Sequence, residues 1–190
     1  MIDLATARLR LTGAWRLAML DRAGLRYFDA TLDGFWQSFQ AAIIAAPIYL
    51  VLVLLRTDEH PLSDDPLRAF LIEAIGYVIS WTAFPLVAWY VTRALNVSKH
   101  YFSYMTAYNW AIVLQVLAYL PVGVISALDI VPASVVGLLA LAVTAAVLFY
   151  QFFIVRTTLE IEVLPALGII ALDFTLGVIL DAIETTMQMQ

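Results

Sequence analysis

The chain has 190 residues, 63% of them apolar and 13% charged, with a mean hydropathy of +0.90 and a formal net charge of −5. A soluble domain averages about 25% charged residues, and a water-soluble fold of this length cannot hide so much apolar surface. That balance excludes a soluble globular domain, the lack of Cys excludes disulfides and thiolate chemistry, and the absence of a basic patch argues against nucleic acid binding.

Residues 1–34 form an N-terminal segment distinct from the apolar remainder. Over residues 4–28, Leu4, Ala7, Leu11, Ala14, Trp15, Ala18 and Leu25 fall on one helical face, with arginines beside it. This pattern predicts an amphipathic helix lying on an anionic leaflet, with Arg8, Arg16, Arg22 and Arg26 at the membrane surface. Arg22 lies on the apolar stripe, and Gly13 and Gly24 are poor helix formers. "YFDATLDGFW" reads as the turn into the membrane, with Asp33-Gly34 as a breaker. The first long apolar run begins near Phe35, too late for a cleavable signal peptide.

Residues 35–190 contain five runs near the roughly 20 apolar residues that a bilayer core requires. They lie at about 35–55, 69–93, 103–126, 132–155 and 162–182. Only helices or closed barrels satisfy the backbone in lipid, and the alternation of barrel strands is absent. The expected fold is all-α: a polytopic membrane bundle of five helices preceded by an amphipathic helix. Pro47, Pro85 and Pro121 fall inside the first three spans, where each removes a backbone hydrogen bond and is expected to kink its helix. Rings open the first and third spans (Phe35, Trp36, Tyr101, Tyr104, Tyr108) and close the second and fourth (Trp89, Tyr90, Phe149, Tyr150). They read as interfacial anchors.

Eight basic residues share one side of this topology: Arg8, Arg10, Arg16, Arg22, Arg26, Arg93, Lys99 and Arg156. Only Arg56 and Arg68 lie on the other. The positive-inside rule puts the N-terminus in the cytoplasm and the C-terminus outside. Arginine outnumbers lysine nine to one, which suits a GC-rich bacterial genome and hence an inner membrane with a periplasmic C-terminus.

No catalytic motif is present: no HExxH, GxSxG, Walker A loop or GxGxxG. His60 and His100 fall on opposite sides, so no metal site is expected, and no cofactor. One polar layer remains. Asp173 sits within "LGIIALDFTLGVIL", and the span midpoints put Ser80, Thr82, Gln115 and Thr144 at similar depth. A lipid-facing carboxylate would cost about 2.5–3.5 kcal/mol, so Asp173 is expected to face the bundle, protonated or hydrogen-bonded by Gln115, Thr144 or Ser80. Gly177 and Asp181 continue its face. Gly177, Gly76 with Ser80, and Ala142 with Ala146 offer small-residue contacts between helices. Asp173 then has two readings: a packing or oligomer contact, or a proton or cation site.

Five spans with this orientation resemble the Yip1 domain family, most strongly from about Tyr101 to Ile183. There "YFSYMTAYNWAIVLQVLAYLPVGVIS" is similar to that family's third span, and "LFYQFFIVRTTLEIEVLPALGIIAL" to its fourth-span exit and turn. The eukaryotic members carry a DLYGP-type motif and act with Rab GTPases. This chain has no such motif, so neither Rab binding nor any functional residue is carried over. The resemblance implies a non-enzymatic scaffold or membrane-organising subunit, partnered by the bilayer and by other membrane proteins in a homo- or hetero-oligomer. The alternative is a small transporter or channel subunit using Asp173.

Overall fold

In the computed structural model, which describes residues 4–55 and 65–189, seven α-helices and two short 3-10 turns form the chain, and no strand occurs among the described residues. The elements are α1 (Leu4–Ala18), a 3-10 turn (Arg22–Tyr27), α2 (Leu32–Ser38), α3 (Gln40–Leu55), α4 (Pro66–Ala94), a second 3-10 turn (Ser98–His100), α5 (Tyr101–Ala127), α6 (Ala133–Leu159) and α7 (Val163–Gln188). Five helical stretches are long and apolar enough to cross a membrane: Leu32–Leu55, Pro66–Ala94, Ser98–Ala127, Ala133–Leu159 and Val163–Gln188. The all-helical five-span expectation is met. Arg56 and His60 lie outside the described residues.

Helix α5 is the hub. It packs against α3 on one side and α6 on the other, while α4 leans mainly on α7. Its first half is buried almost continuously from Tyr104 to Ala111. Pro47, Pro85 and Pro121 sit inside α3, α4 and α5 without ending them. The carbonyl of Pro85 accepts a hydrogen bond from the Tyr101 hydroxyl at 3.0 Å.

Three local expectations are corrected. Residues 4–28 are not one surface helix. The chain turns back after Ala18 through Leu20, a non-glycine residue at φ 61°, so Arg22 lies on the 3-10 turn and off any α1 stripe. Asp33-Gly34 is not a breaker: Thr31 caps α2 by accepting from the Gly34 N–H at 3.1 Å, and Asp33 occupies the first turn, where the helix dipole favours an anion. The first span is broken at Phe39 between α2 and α3. There the buried Asn109 amide donates to Ser38 Oγ at 2.8 Å, and Ser38 donates to the Phe35 carbonyl at 2.6 Å.

The N-terminal segment is docked on the bundle rather than detached from it. Ala7, Ala14 and Leu17 are buried on the side facing α5 and α6, and the Tyr150 hydroxyl donates to the Ala14 carbonyl at 2.7 Å. Thr106 on α5 donates to the Asp29 carbonyl at 3.1 Å. These ties fold the five arginines of the segment back toward the end of the bundle that carries Arg93, Lys99 and Arg156. Phe35 and Tyr101 are buried there with centroids 5.7 Å apart, so part of the ring set is core, whereas Trp36 and Tyr90 are exposed.

Gly13 and Gly24, expected to weaken a helix, instead let α1 and its 3-10 turn touch. A Cβ on Gly24 would lie 2.6 Å from the Gly13 carbonyl oxygen, and one on Gly13 would lie 2.7 Å from Tyr27 Cβ. Arg16 closes the same turn with an ion pair to Asp21 at 2.5 Å and a stack on Tyr27. The Ala23 N–H and then Arg16 hold the Asp21 carboxyl below its ordinary value, while Asp21 raises Arg16. The contribution of Asp21 is therefore present above the ordinary carboxylate range and fades as pH falls through the lowered value. Gly24→Val should overpack this junction at a cost of about 1–3 kcal/mol. The expected readout is faster proteolysis across residues 19–31, with the five long helices intact. Unchanged cleavage would show that the glycine contact does not hold the segment.

Candidate functional site

The Asp173 site is assembled from α5, α6 and α7. Tyr104 and Tyr108 lie one turn apart on the buried face of α5, and Tyr108 donates its hydroxyl to Asp173, 2.9 Å from Oδ1 and 3.1 Å from Oδ2. Gln151 on α6 lies near the carboxylate and donates to Gln115 Oε1 at 3.3 Å. Phe84 on α4 closes the site from behind, its ring 4.7 Å from that of Tyr108. Asp173 thus ties α7 to α5 through a neutral donor.

The expected polar layer is only partly assembled. Gln115 reaches the site through Gln151, and its own Nε2 is buried without a partner. Thr144 pairs instead with Tyr119 at 2.9 Å and back-bonds to the Ala140 carbonyl. Ser80 is exposed and donates to the Tyr77 carbonyl, and Thr82 donates to Val78 and Ile79. The reason is depth. Toward the arginine-bearing end α5 starts at Tyr101 and α6 runs on to Leu159, both beyond the expected bounds, whereas α7 starts only at Val163, so Asp173 lies 10 residues from that end (173 − 163) while Gln115 and Thr144 lie 14 (115 − 101) and 15 (159 − 144). This places the carboxylate nearer the arginine-bearing end, level with Tyr108 and not with the span midpoints.

The small residues behave unequally. Gly177 meets nothing within 4 Å, and Ala142 and Ala146 are exposed. Gly76 is closely packed, but against the Glu184 side chain, far along α7 from Asp173. Of the surface arginines, Arg16 is engaged by Asp21 and Tyr27, and Arg10 donates to the Tyr27 carbonyl. Arg8, Arg22 and Arg26 are exposed. Asp181 is also exposed and lines a cavity of about 660 Å³ with Tyr119 and Asp129 at the opposite end.

Two functional-looking groups were missed by reasoning from sequence. Tyr108 reads from sequence as an interfacial anchor, and Gln151 carries no charge or motif that marks it. The missed signal was the i, i+4 spacing of Tyr104 and Tyr108, which puts two hydroxyls on one helix face. Glu73 on α4 accepts hydrogen bonds from Tyr49 at 2.9 Å and Gln188 at 3.4 Å. Among the described residues, no group of three or more His, Cys, Asp or Glu is arranged to hold a metal. Comparison with family models, curated proteins and solved structures finds no match.

Tyr108→Phe should strand a half-buried carboxylate and cost about 1–3 kcal/mol. Asp173→Asn keeps the shape and an acceptor for Tyr108, and should be tolerated better than Asp173→Leu, which orphans the Tyr108 hydroxyl. Thermal unfolding in mild detergent should rank the variants in that way. Wild-type stability in both Tyr108→Phe and Asp173→Leu would mean that this hydrogen bond does not tie α5 to α7.

Proposed function

We propose that this multi-pass protein is a non-enzymatic scaffold that organises the bilayer, and its partners, around its arginine-bearing end. The observation that carries the reading is the outward face of the docked helix α1. Leu4 and Trp15 on that face, and Met19 just past the helix end, are exposed by 80%, 58% and 60%, and exposed Arg8 shares the face of Leu4 and Trp15. A strip of large apolar side chains flanked by arginines suits the headgroup region of an anionic leaflet. The buried face of α1 is occupied by the bundle, so the strip is held at a fixed place on the protein. The Yip1 resemblance supports the same reading. In it, the membrane is a bacterial inner membrane, the N-terminus is cytoplasmic and the C-terminus periplasmic, and assembly with itself or other membrane proteins follows. Asp173 fits as a structural tie, because its partners belong to neighbouring helices.

Two measurements test this. A reporter active only outside the cytoplasm should be active when fused after Met189 and silent when fused near Lys99; the reverse pattern would overturn the orientation. The protein reconstituted in mixed vesicles should enrich a fluorescent anionic lipid around itself, and the enrichment should fall as salt rises. Combined Arg8→Ala, Arg22→Ala and Arg26→Ala should abolish the enrichment and leave the fold intact, since none of the three is buried. Equal enrichment of a neutral lipid, or an unaffected triple variant, would refute the leaflet-organising role.

A further inference from the structure

A second intramembrane carboxylate lies in a different setting from Asp173. Helices α3 and α4 diverge to leave a cavity of about 440 Å³ between them, within the roughly 300–1,000 Å³ of small-molecule sites. Its walls are mostly aliphatic and aromatic, and among the described residues Glu73 is the one charged residue lining it. The rings of Tyr49 and Tyr77, which also line it, lie 4.9 Å apart at 37°. Leu50, Leu54 and Phe70 at the same cavity are all more than half exposed, so it is open toward the apolar surroundings of the bundle.

Glu73 is oriented but not neutralised by its partners. The Tyr49 hydroxyl donates to Oε2 at 2.9 Å and the Gln188 amide donates to Oε1 at 3.4 Å, and both donors are uncharged. Arg68, on the same helix, donates instead to the Met187 carbonyl at 2.9 Å. No ion pair to Glu73 forms among the described residues. A carboxylate in apolar surroundings is costly without a counter-charge. Tyrosine faces attract cations, more strongly when the contact is desolvated. A hard metal ion would want six or more oxygen ligands, and among the described residues the groove offers one carboxylate and two phenols, each already hydrogen-bonded. A weakly hydrated organic cation needs no such shell, and its apolar groups match the aliphatic walls.

We propose that the α3–α4 groove binds a lipophilic organic cation, with Glu73 as its counter-ion and the Tyr49 and Tyr77 rings as its aromatic wall. The groove lies away from the arginine-bearing end, so its occupancy is independent of the lipid-facing strip on α1. The probe is tetraphenylphosphonium, titrated calorimetrically into the full-length protein in mild non-ionic detergent, with neutral triphenylphosphine oxide as the comparison. The protein should bind the phosphonium saturably, and the neutral compound at least about tenfold more weakly. Glu73→Gln keeps the shape and can still hydrogen-bond Tyr49 and Gln188, and should weaken phosphonium binding by at least about tenfold. Ala46→Phe should fill the groove and abolish binding while leaving Glu73 in place. If Glu73→Gln does not fold, the neutral comparison and Ala46→Phe still decide. Absence of saturable binding, wild-type affinity in either variant, or equal affinity for the neutral compound would overturn the assignment. That last result would instead identify a seat for an acyl chain or for an apolar helix of a second copy.

Discussion

Polar groups within a bilayer must find their partners inside the protein, and this single constraint organises the bundle. Water is absent from the hydrocarbon core, so an unpaired backbone or side-chain group there costs several kcal/mol. Helix α5 meets the requirement for its neighbours. Its Asn109 serves Ser38 at the break between α2 and α3, its Tyr101 serves the Pro85 carbonyl on α4, and its Tyr108 serves Asp173 on α7. Each contact joins a different helix to α5. The burial of α5 along its first half follows from this role as much as from its apolar content.

The N-terminal segment extends the same logic beyond the spans. Its carbonyls are reached from inside the bundle by Tyr150 and Thr106, which fix α1 and the approach to α2 over the ends of α5 and α6. The glycines at 13 and 24 set how closely the segment folds on itself, and the Arg16–Asp21 pair fastens the turn. One face of α1 is thereby spent on the protein. What remains for the surroundings is Leu4, Trp15 and Met19 with the unengaged arginines, a surface with a defined position rather than a loose anchor.

The two carboxylates illustrate how surroundings assign roles to the same chemical group. Asp173 is bonded from α5 by Tyr108 in the packed part of the bundle. Glu73 is fixed from one side by Tyr49 and Gln188 and faces a cavity on another. A buried phenol engages both oxygens of the first, whereas the second borders an open apolar wall. Both sit in helices whose outward residues are large and aliphatic, so only the inner face distinguishes them.

The sequence by itself determined the helical class, the number of apolar helices and the grouping of arginines at one end. These depend on composition and run length, which the bilayer reads directly: about 20 apolar residues span it whatever their neighbours are. It also singled out Asp173 as a residue that must turn inward. Tertiary structure alone decided which partners it meets. Matching residues by span midpoint paired Asp173 with Ser80 and Thr144, but α5 and α6 reach further than expected toward the arginine-bearing end while α7 does not, and it is Tyr108 that meets the carboxylate. The fate of α1 was equally beyond sequence periodicity. A helix with apolar residues spread over a wide arc can bury either edge, and the Ala14 and Asp29 carbonyls, bonded by Tyr150 and Thr106 from remote helices, mark the edge that faces the bundle. The groove beside Glu73 was invisible for the same reason: a cavity is a property of two helices diverging, and no single stretch of sequence encodes the distance between them.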